Sequence, residues 1–396
     1  MTLLTARRQW CVACFLTTSS ALLGVASCST NQSSARTSPS PPTTTASPPT
    51  AKPQPTNQQT PTSLIAPAYL LPNVYQATIG TLDKRVANIA PRVYVPNSDE
   101  GTVSVIDPKT YTVISKFPVG KNPQHIGPSW DLSTLYVSND RGNSLTPVDP
   151  KTAKPSPEIP VTDPYNLYYT TDGKFAIVVA ERLRRLDFRD PHTWKVAFSI
   201  PIPRKGANHL DFSADGTYFL ISCEFSGWVE KVDLKQRKVV AELDVKGEPI
   251  DVKLSPDGRV FYIANMARGG VSIVDPMAMT EVAFLATGMG AHGLYPSRDA
   301  TKLYVSNRHA NSVSVIDFST RKVVATWRFT GTPDMGGVSI DGKELWLSGR
   351  YSGEVYVIDT TTGRLTHRIK VGRGPHGLSF FPQPGRYSLG HTGNYR

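Results

Sequence analysis

Seven copies of one unit of about 42 residues run from Val93 to the end of the chain, and a period of that length built from short apolar runs constrains the fold to a β-propeller. The register mark is an aspartate closing an apolar run, at Asp107, Asp149, Asp190, Asp233, Asp275, Asp317 and Asp359, with successive spacings of 42, 41, 43, 42, 42 and 42. Within a unit the pattern is that of Leu303-Tyr304-Val305-Ser306-Asn307, a turn, Val313-Ser314-Val315-Ile316-Asp317, then Lys322-Val323-Val324-Ala325-Thr326, and a last short run after a Gly/Pro turn. β-Branched and aromatic residues alternate with small polar ones at period two, and Asp-Gly and Gly-X-Pro clusters separate them. Each unit therefore reads as four strands, and the chain as an all-β, seven-bladed propeller over residues 93–396.

The phase of the repeat predicts how the ring closes. The last unit ends in Gly377-Leu378-Ser379-Phe380-Phe381, whereas the first opens directly on Val93-Tyr94-Val95. The C-terminal run should supply the innermost strand of the blade that Val93 begins, pairing edges that would otherwise be open.

Val93-Tyr94-Val95-Pro96-Asn97, Leu135-Tyr136-Val137-Ser138-Asn139 and Leu303-Tyr304-Val305-Ser306-Asn307 resemble the motif that names the YVTN-repeat propellers, as do Pro375-His376-Gly377-Leu378 and Ser255-Pro256-Asp257-Gly258. The resemblance covers roughly residues 93–386 and extends to YncE-like propellers and those related to the d1-haem domain of nitrite reductase. It implies the fold; for function it implies a range that includes binders, scaffolds, lactonases and cofactor carriers. The third unit departs most, with Ala176-Ile177-Val178-Val179-Ala180-Glu181 in place of the motif.

Ahead of the repeats, Arg7 and Arg8, an apolar run from Trp10 to Val25, and Val25-Ala26-Ser27-Cys28 match a lipoprotein signal peptide over residues 1–27, with Cys28 as the lipidated residue. A secretory signal cut near Ala26 and a retained membrane helix are the competing readings; the run is short for a span and contains several Thr, Ser and Gly residues. Residues 28–62 are almost wholly Ser, Thr, Pro, Gln and Ala, the composition of an extended tether. Residues 63–92 are more apolar and are expected to pack on the outside of the propeller. These features predict an exported, membrane-anchored protein on the periplasmic or extracellular face.

With Cys11 and Cys14 in the leader and Cys28 carrying lipid, Cys223 is left alone, so no disulfide is expected. The net charge of +11 falls to +9 without Arg7 and Arg8, and the cations are scattered through turns rather than massed, which argues against a nucleic-acid partner. A propeller buries its core within the ring, so a monomer is expected.

Function in such a ring sits where the channel opens, on the face formed by loops entering the innermost strands and leaving the second ones. Aligning the units there gives a first row of Gln124, Tyr165, Asn208, Ile250, His292, Asp334 and His376. The next position gives His125, Asn166, His209, Asp251, Gly293, Met335 and Gly377. Strand alternation predicts that only one row faces the channel. His292, Asp334 and His376 fall on consecutive units, and two imidazoles with a carboxylate suit a divalent metal or proton transfer. Loops after the second strands place acids at Asp140, Glu181 and Glu224 opposite Arg308 and Arg350, whose planar guanidinium groups could hold a carboxylate or phosphate.

No Gly-X-Ser-X-Gly elbow, His-Glu-X-X-His, phosphate-cradling loop or Cys-X-X-Cys-His occurs. Three readings follow: a module binding a small molecule or an envelope protein at the channel mouth; a lactonase-like enzyme, or a carrier of a divalent metal or tetrapyrrole, using His292, Asp334 and His376; and a scaffold displaying its rim.

Overall fold

The structure, a computed structural model, describes residues 73–80, 82–391 and 395–396. Residues 1–62, where the signal peptide, the lipidated Cys28 and the tether are expected, lie outside the described residues. Seven antiparallel sheets stand in chain order, numbered here as blades 1 to 7, and every neighbouring pair of strands is antiparallel. In blade 6, for example, Ala291–Pro296, Lys302–Asn307, Ser312–Asp317 and Lys322–Arg328 follow one another from channel to rim. The first three are buried almost throughout, whereas the outermost alternates exposed and half-buried positions. That gradient is the physical meaning of the apolar runs: both faces of the inner strands pack against neighbouring blades.

The repeat's marker residues have local causes. Each register aspartate caps the turn between third and fourth strands by accepting a backbone N–H two or three residues on, at 2.7 to 3.0 Å. The asparagine closing the motif is buried in the hairpin: Asn97 donates to Ser104 at 3.0 Å, Asn139 to Thr146 at 2.8 Å and Asn307 to Ser314 at 3.0 Å. The third unit has Ala180 at that place and forms its blade from Asn166–Tyr169, Ala176–Ala180, Arg185–Arg189 and Val196–Pro201 without it.

Ring closure is as the repeat phase predicts, by a shorter strand. Ser379–Phe381 lies inside Arg92–Asn97 in blade 1, with Tyr94 opposite Ser379 and Arg92 opposite Phe381. Four strands per unit holds everywhere but blade 2. There the outer strand is split into Lys154–Pro155 and Ile159–Pro160, both paired with Ser144–Asp149, so the sheet has five strands. Pro155, Pro157 and Pro160 lack the N–H that an unbroken ladder needs.

Beyond Phe381 the chain crosses the face opposite the mouth. The Ser388 N–H donates to the Trp130 carbonyl, and Gly390 pairs with Tyr168. Leu389 joins the apolar core of blades 3 and 4, Tyr395 that of blades 1 and 2. Residues 73–80 and 82–91 sit on this same face: the Val74 N–H donates to Pro256, the Tyr75 hydroxyl donates to the Leu254 carbonyl at 2.7 Å, and Leu82 bridges to Gly385. Arg396 completes the closure with an ion pair to Asp211 at 3.0 Å, its guanidinium 4.9 Å from the Tyr75 ring.

Candidate ligand site at the channel mouth

The two entrance rows do not alternate as a regular strand would. In blades 4 to 7 the innermost strand carries a bulge just inside the mouth, so that two residues oppose one on the neighbouring strand. Asn208 and His209 thus lie opposite Ser222, His292 and Gly293 opposite Ser306, and Asp334 and Met335 opposite Ser348. In blade 2 the extra residue is Gln124. Members of both rows consequently meet: the His125 ring lies 4.8 Å from that of His376 and 5.3 Å from that of Tyr165. The expectation of a single facing row is corrected by these bulges.

His292, Asp334 and His376 are brought together as the spacing predicts, but around a fourth group. Asp334, fully buried, accepts from Arg308 Nε at 3.0 Å and Nη2 at 2.5 Å, and His376 Nδ1 stands 2.7 Å from its other oxygen. His292 Nδ1 is 3.1 Å from Asp334 Oδ1, while its Nε2 lies 2.6 Å from Arg308 Nη2. A guanidinium only donates, so His292 Nε2 is the acceptor and Nδ1 carries the proton. Burial, then the Arg308 charge, holds the His292 imidazole neutral, and burial lowers His376 to about 4 despite Asp334. The Asp334 carboxyl itself is held well below its ordinary range: Arg308, with the two imidazoles, outweighs the cost of burial.

This bookkeeping tells against the trio as a metal centre. Both carboxylate oxygens, both Nδ1 atoms and His292 Nε2 are already engaged, and a guanidinium occupies the space where a cation would sit. Arg308 is likewise committed to Asp334 rather than presented as an open fork.

The remaining candidates form the wall. Asn208 donates to Glu224 at 2.5 Å, and burial pushes the Glu224 carboxyl up to about 7, partly opposed by Arg308. Asp140 and Glu181, whose carboxyls are also raised by burial, stand near Arg182, which bridges Asp140 and Asp163 at 3.3 and 2.6 Å. Their charge is answered within adjacent loops. Arg350 donates to Ser98 at 3.2 Å, and Ser98 borders a cleft of about 480 Å³ lined also by Asp99, Glu100, Lys121, Asn122 and Arg141. Gln124 is buried, at 9 % exposure.

The repeat alignment misses the group that fills the channel from the other end. His391, beyond the last repeat, reaches in from the closing tail until its ring is 4.1 Å from that of His125. It has no counterpart in any unit, so no register argument could have placed it. The entrance rows include Asp251 but not its buried neighbours Lys253 and Asp211 on the channel-side strands, which read in the sequence as surface charges.

A model for YncE-like β-propellers matches residues 57–384. The chain belongs to the YncE-like β-propeller family. Solved structures similar to this family member include a hydrazine synthase chain from Kuenenia stuttgartiensis, 21 % identical over 73 % of this chain and 99 % of that one, with a TM-score of 0.61. The dihydro-haem d1 dehydrogenase NirN is 17 % identical over 77 % of this chain and 78 % of its own, at a TM-score of 0.59. The periplasmic gluconolactonase PpgL of Pseudomonas aeruginosa is 18 % identical over 74 % and 99 %, at 0.61. At these identities the likeness is one of fold. A comparison with curated protein sequences returns no match.

Proposed function

We propose that this YncE-like propeller is an exported lipoprotein, anchored through Cys28, that binds a small anionic molecule at its channel mouth. The observation that carries the reading is the blind channel: the mouth is lined by polar side chains, and the opposite end is closed by residues 382–391 with Tyr395 and Arg396. A blind polar funnel suits a compact solute better than a threaded polymer. Arg350 at the Ser98 cleft supplies the planar donor pair for a carboxylate or phosphate. Arg308 supports that wall through its charge while holding Asp334.

The test is calorimetric titration of the full chain with inorganic phosphate, sugar acids and short dicarboxylates. One of these classes is expected to bind, and Arg350→Ala to weaken it about tenfold or more, the worth of a charge-assisted bond. Absence of binding by all three classes contradicts the anion reading and favours a protein partner. Burial keeps the Glu224 carboxyl protonated up to about pH 7, so an anion meets a neutral wall below that pH and a charged one above it. For a sugar acid, whose own charge does not change over this range, affinity is therefore expected to fall as pH rises from 6 to 8, and Glu224→Gln to remove that slope in the same titrations. Anchoring is checked separately: Cys28→Ser is expected to abolish labelling by radioactive palmitate.

A further inference from the structure

We infer that His125, His209 and His391 form a site for one divalent transition-metal ion, of the Zn²⁺ class, in the middle of the channel. The site is distinct from the Asp334 cluster and goes beyond the anion-binding reading, because none of its three residues carries that reading. One nitrogen of each imidazole lies within 4.8 Å of one nitrogen of each of the others. The ring centroids are 4.1 Å apart for His125 and His391, 5.2 Å for His125 and His209, and 5.7 Å for His209 and His391. Three nitrogens on a tetrahedral zinc at ~2.0 Å stand roughly 3.3 Å from one another, so modest ring rotation closes the set.

Burial and unmet hydrogen-bonding capacity point the same way. The three residues are 1 %, 0 % and 2 % exposed. Both ring nitrogens of His125 and both of His209 are buried without a hydrogen-bond partner, four polar atoms at two adjacent residues. A buried polar atom left unmatched is costly, so a pair of imidazoles in this state calls for an occupant. Aromatic packing alone would be served as well by phenylalanine. A cation with no committed anion beside it is excluded from most protein interiors, but neutral imidazole is the nitrogen donor that zinc, copper and nickel accept without a charged ligand.

The surroundings are built closely. A Cβ added at Gly377 would stand 2.1 Å from His125 Nδ1 and 2.9 Å from His391 Cε1, so a side chain there would occupy the space between the two rings. The Ile126 backbone bonds to His391 and orients its ring. Three protein ligands leave one coordination position for a water or a small molecule, and the Tyr165 and His376 rings mark the direction of the mouth from which it would come.

The test is titration of the full chain, freed of metal, with Zn²⁺ by calorimetry and with Co²⁺ by visible absorption. One ion per chain is expected, with the intense ligand-field bands of a tetrahedral nitrogen site for Co²⁺. His125→Phe and His391→Phe keep ring volume and are each expected to weaken Zn²⁺ binding by more than about tenfold, the loss that an outer-sphere partner alone can cause. His192→Ala, on an exposed turn, is expected to bind like the parent. Failure of the folded parent to take up one ion, or unchanged affinity in folded His125→Phe and His391→Phe, overturns the site. Should both variants fail to fold, X-ray absorption of the Zn²⁺-loaded parent decides: three imidazoles in the first shell support it and fewer overturn it. Anion titration with Arg350→Ala is independent of these outcomes.

Discussion

Replacing Asp334 with alanine is expected to destabilise the protein by about 3–5 kcal/mol, the cost of removing one partner from a buried ion pair. Arg308 is only about a tenth exposed at its side chain, and two of its nitrogens depend on Asp334. His376 Nδ1 loses its acceptor as well. Against a total stability of ~5–15 kcal/mol, such a loss shifts the urea midpoint visibly or abolishes the folded state. Combining Arg308→Met with Asp334→Asn is expected to recover much of it, since the uncompensated charge is then gone. A fall of less than about 1 kcal/mol in Asp334→Ala would mean that water reaches Arg308 and the cluster is not a buried one.

Truncation at two points separates closure of the ring from closure of the channel. A chain ending at Pro375 lacks Ser379–Phe381, leaves the inner edge of Arg92–Asn97 unpaired and loses Leu378, Phe380 and Phe381 from the cores beside blade 1. Cooperative unfolding is expected to disappear, because each large apolar side chain withdrawn from the core costs about 1.5–3 kcal/mol. A chain ending at Phe381 keeps the closing strand but gives up Leu389, Tyr395 and the Arg396 partner of Asp211. It is expected to retain strand circular dichroism, unfold at a much lower urea concentration and bind the dye anilinonaphthalene sulfonate at the exposed far end. Equal stability of the two truncations would contradict the separate roles assigned to strand and tail.

What the sequence carried and what it withheld divide along a physical line. The repeat is a local property, repeated seven times, and so the strands, the blade count and the pairing of the last run with Val93 could be read directly. The split outer strand of blade 2 was visible as Pro155, Pro157 and Pro160, yet only its lateral pairing makes it two strands. At the mouth, linear spacing placed His292, Asp334 and His376 side by side because consecutive blades repeat the same position. Loop position put Arg308 near His292 and Asp334, but could not show that its guanidinium folds inward and pairs with the Asp334 carboxylate. Strand alternation misjudged the rows because bulges occur where the inner strands start, and a bulge has no strong residue signature here. His391 lay outside every register, so its meeting with His125 and His209 is a fact of three-dimensional structure alone.

The central claim is that the mouth, with its imidazole and arginine wall, is where a small anion binds. Nitrogen-15 spectroscopy of the histidine side chains tests it most directly, because the chain has eight histidines, of which His292 and His376 lie at the mouth and His192 and His367 on outer turns and strands. Without ligand at pH 7, His292 is predicted to be neutral and protonated on Nδ1. On titration with the anion selected by calorimetry, the His292 and His376 signals should move together with saturation, while those of His192 and His367 stay still. Movement confined to His192 or His367, or none at His292 and His376 at saturating anion, would contradict the account.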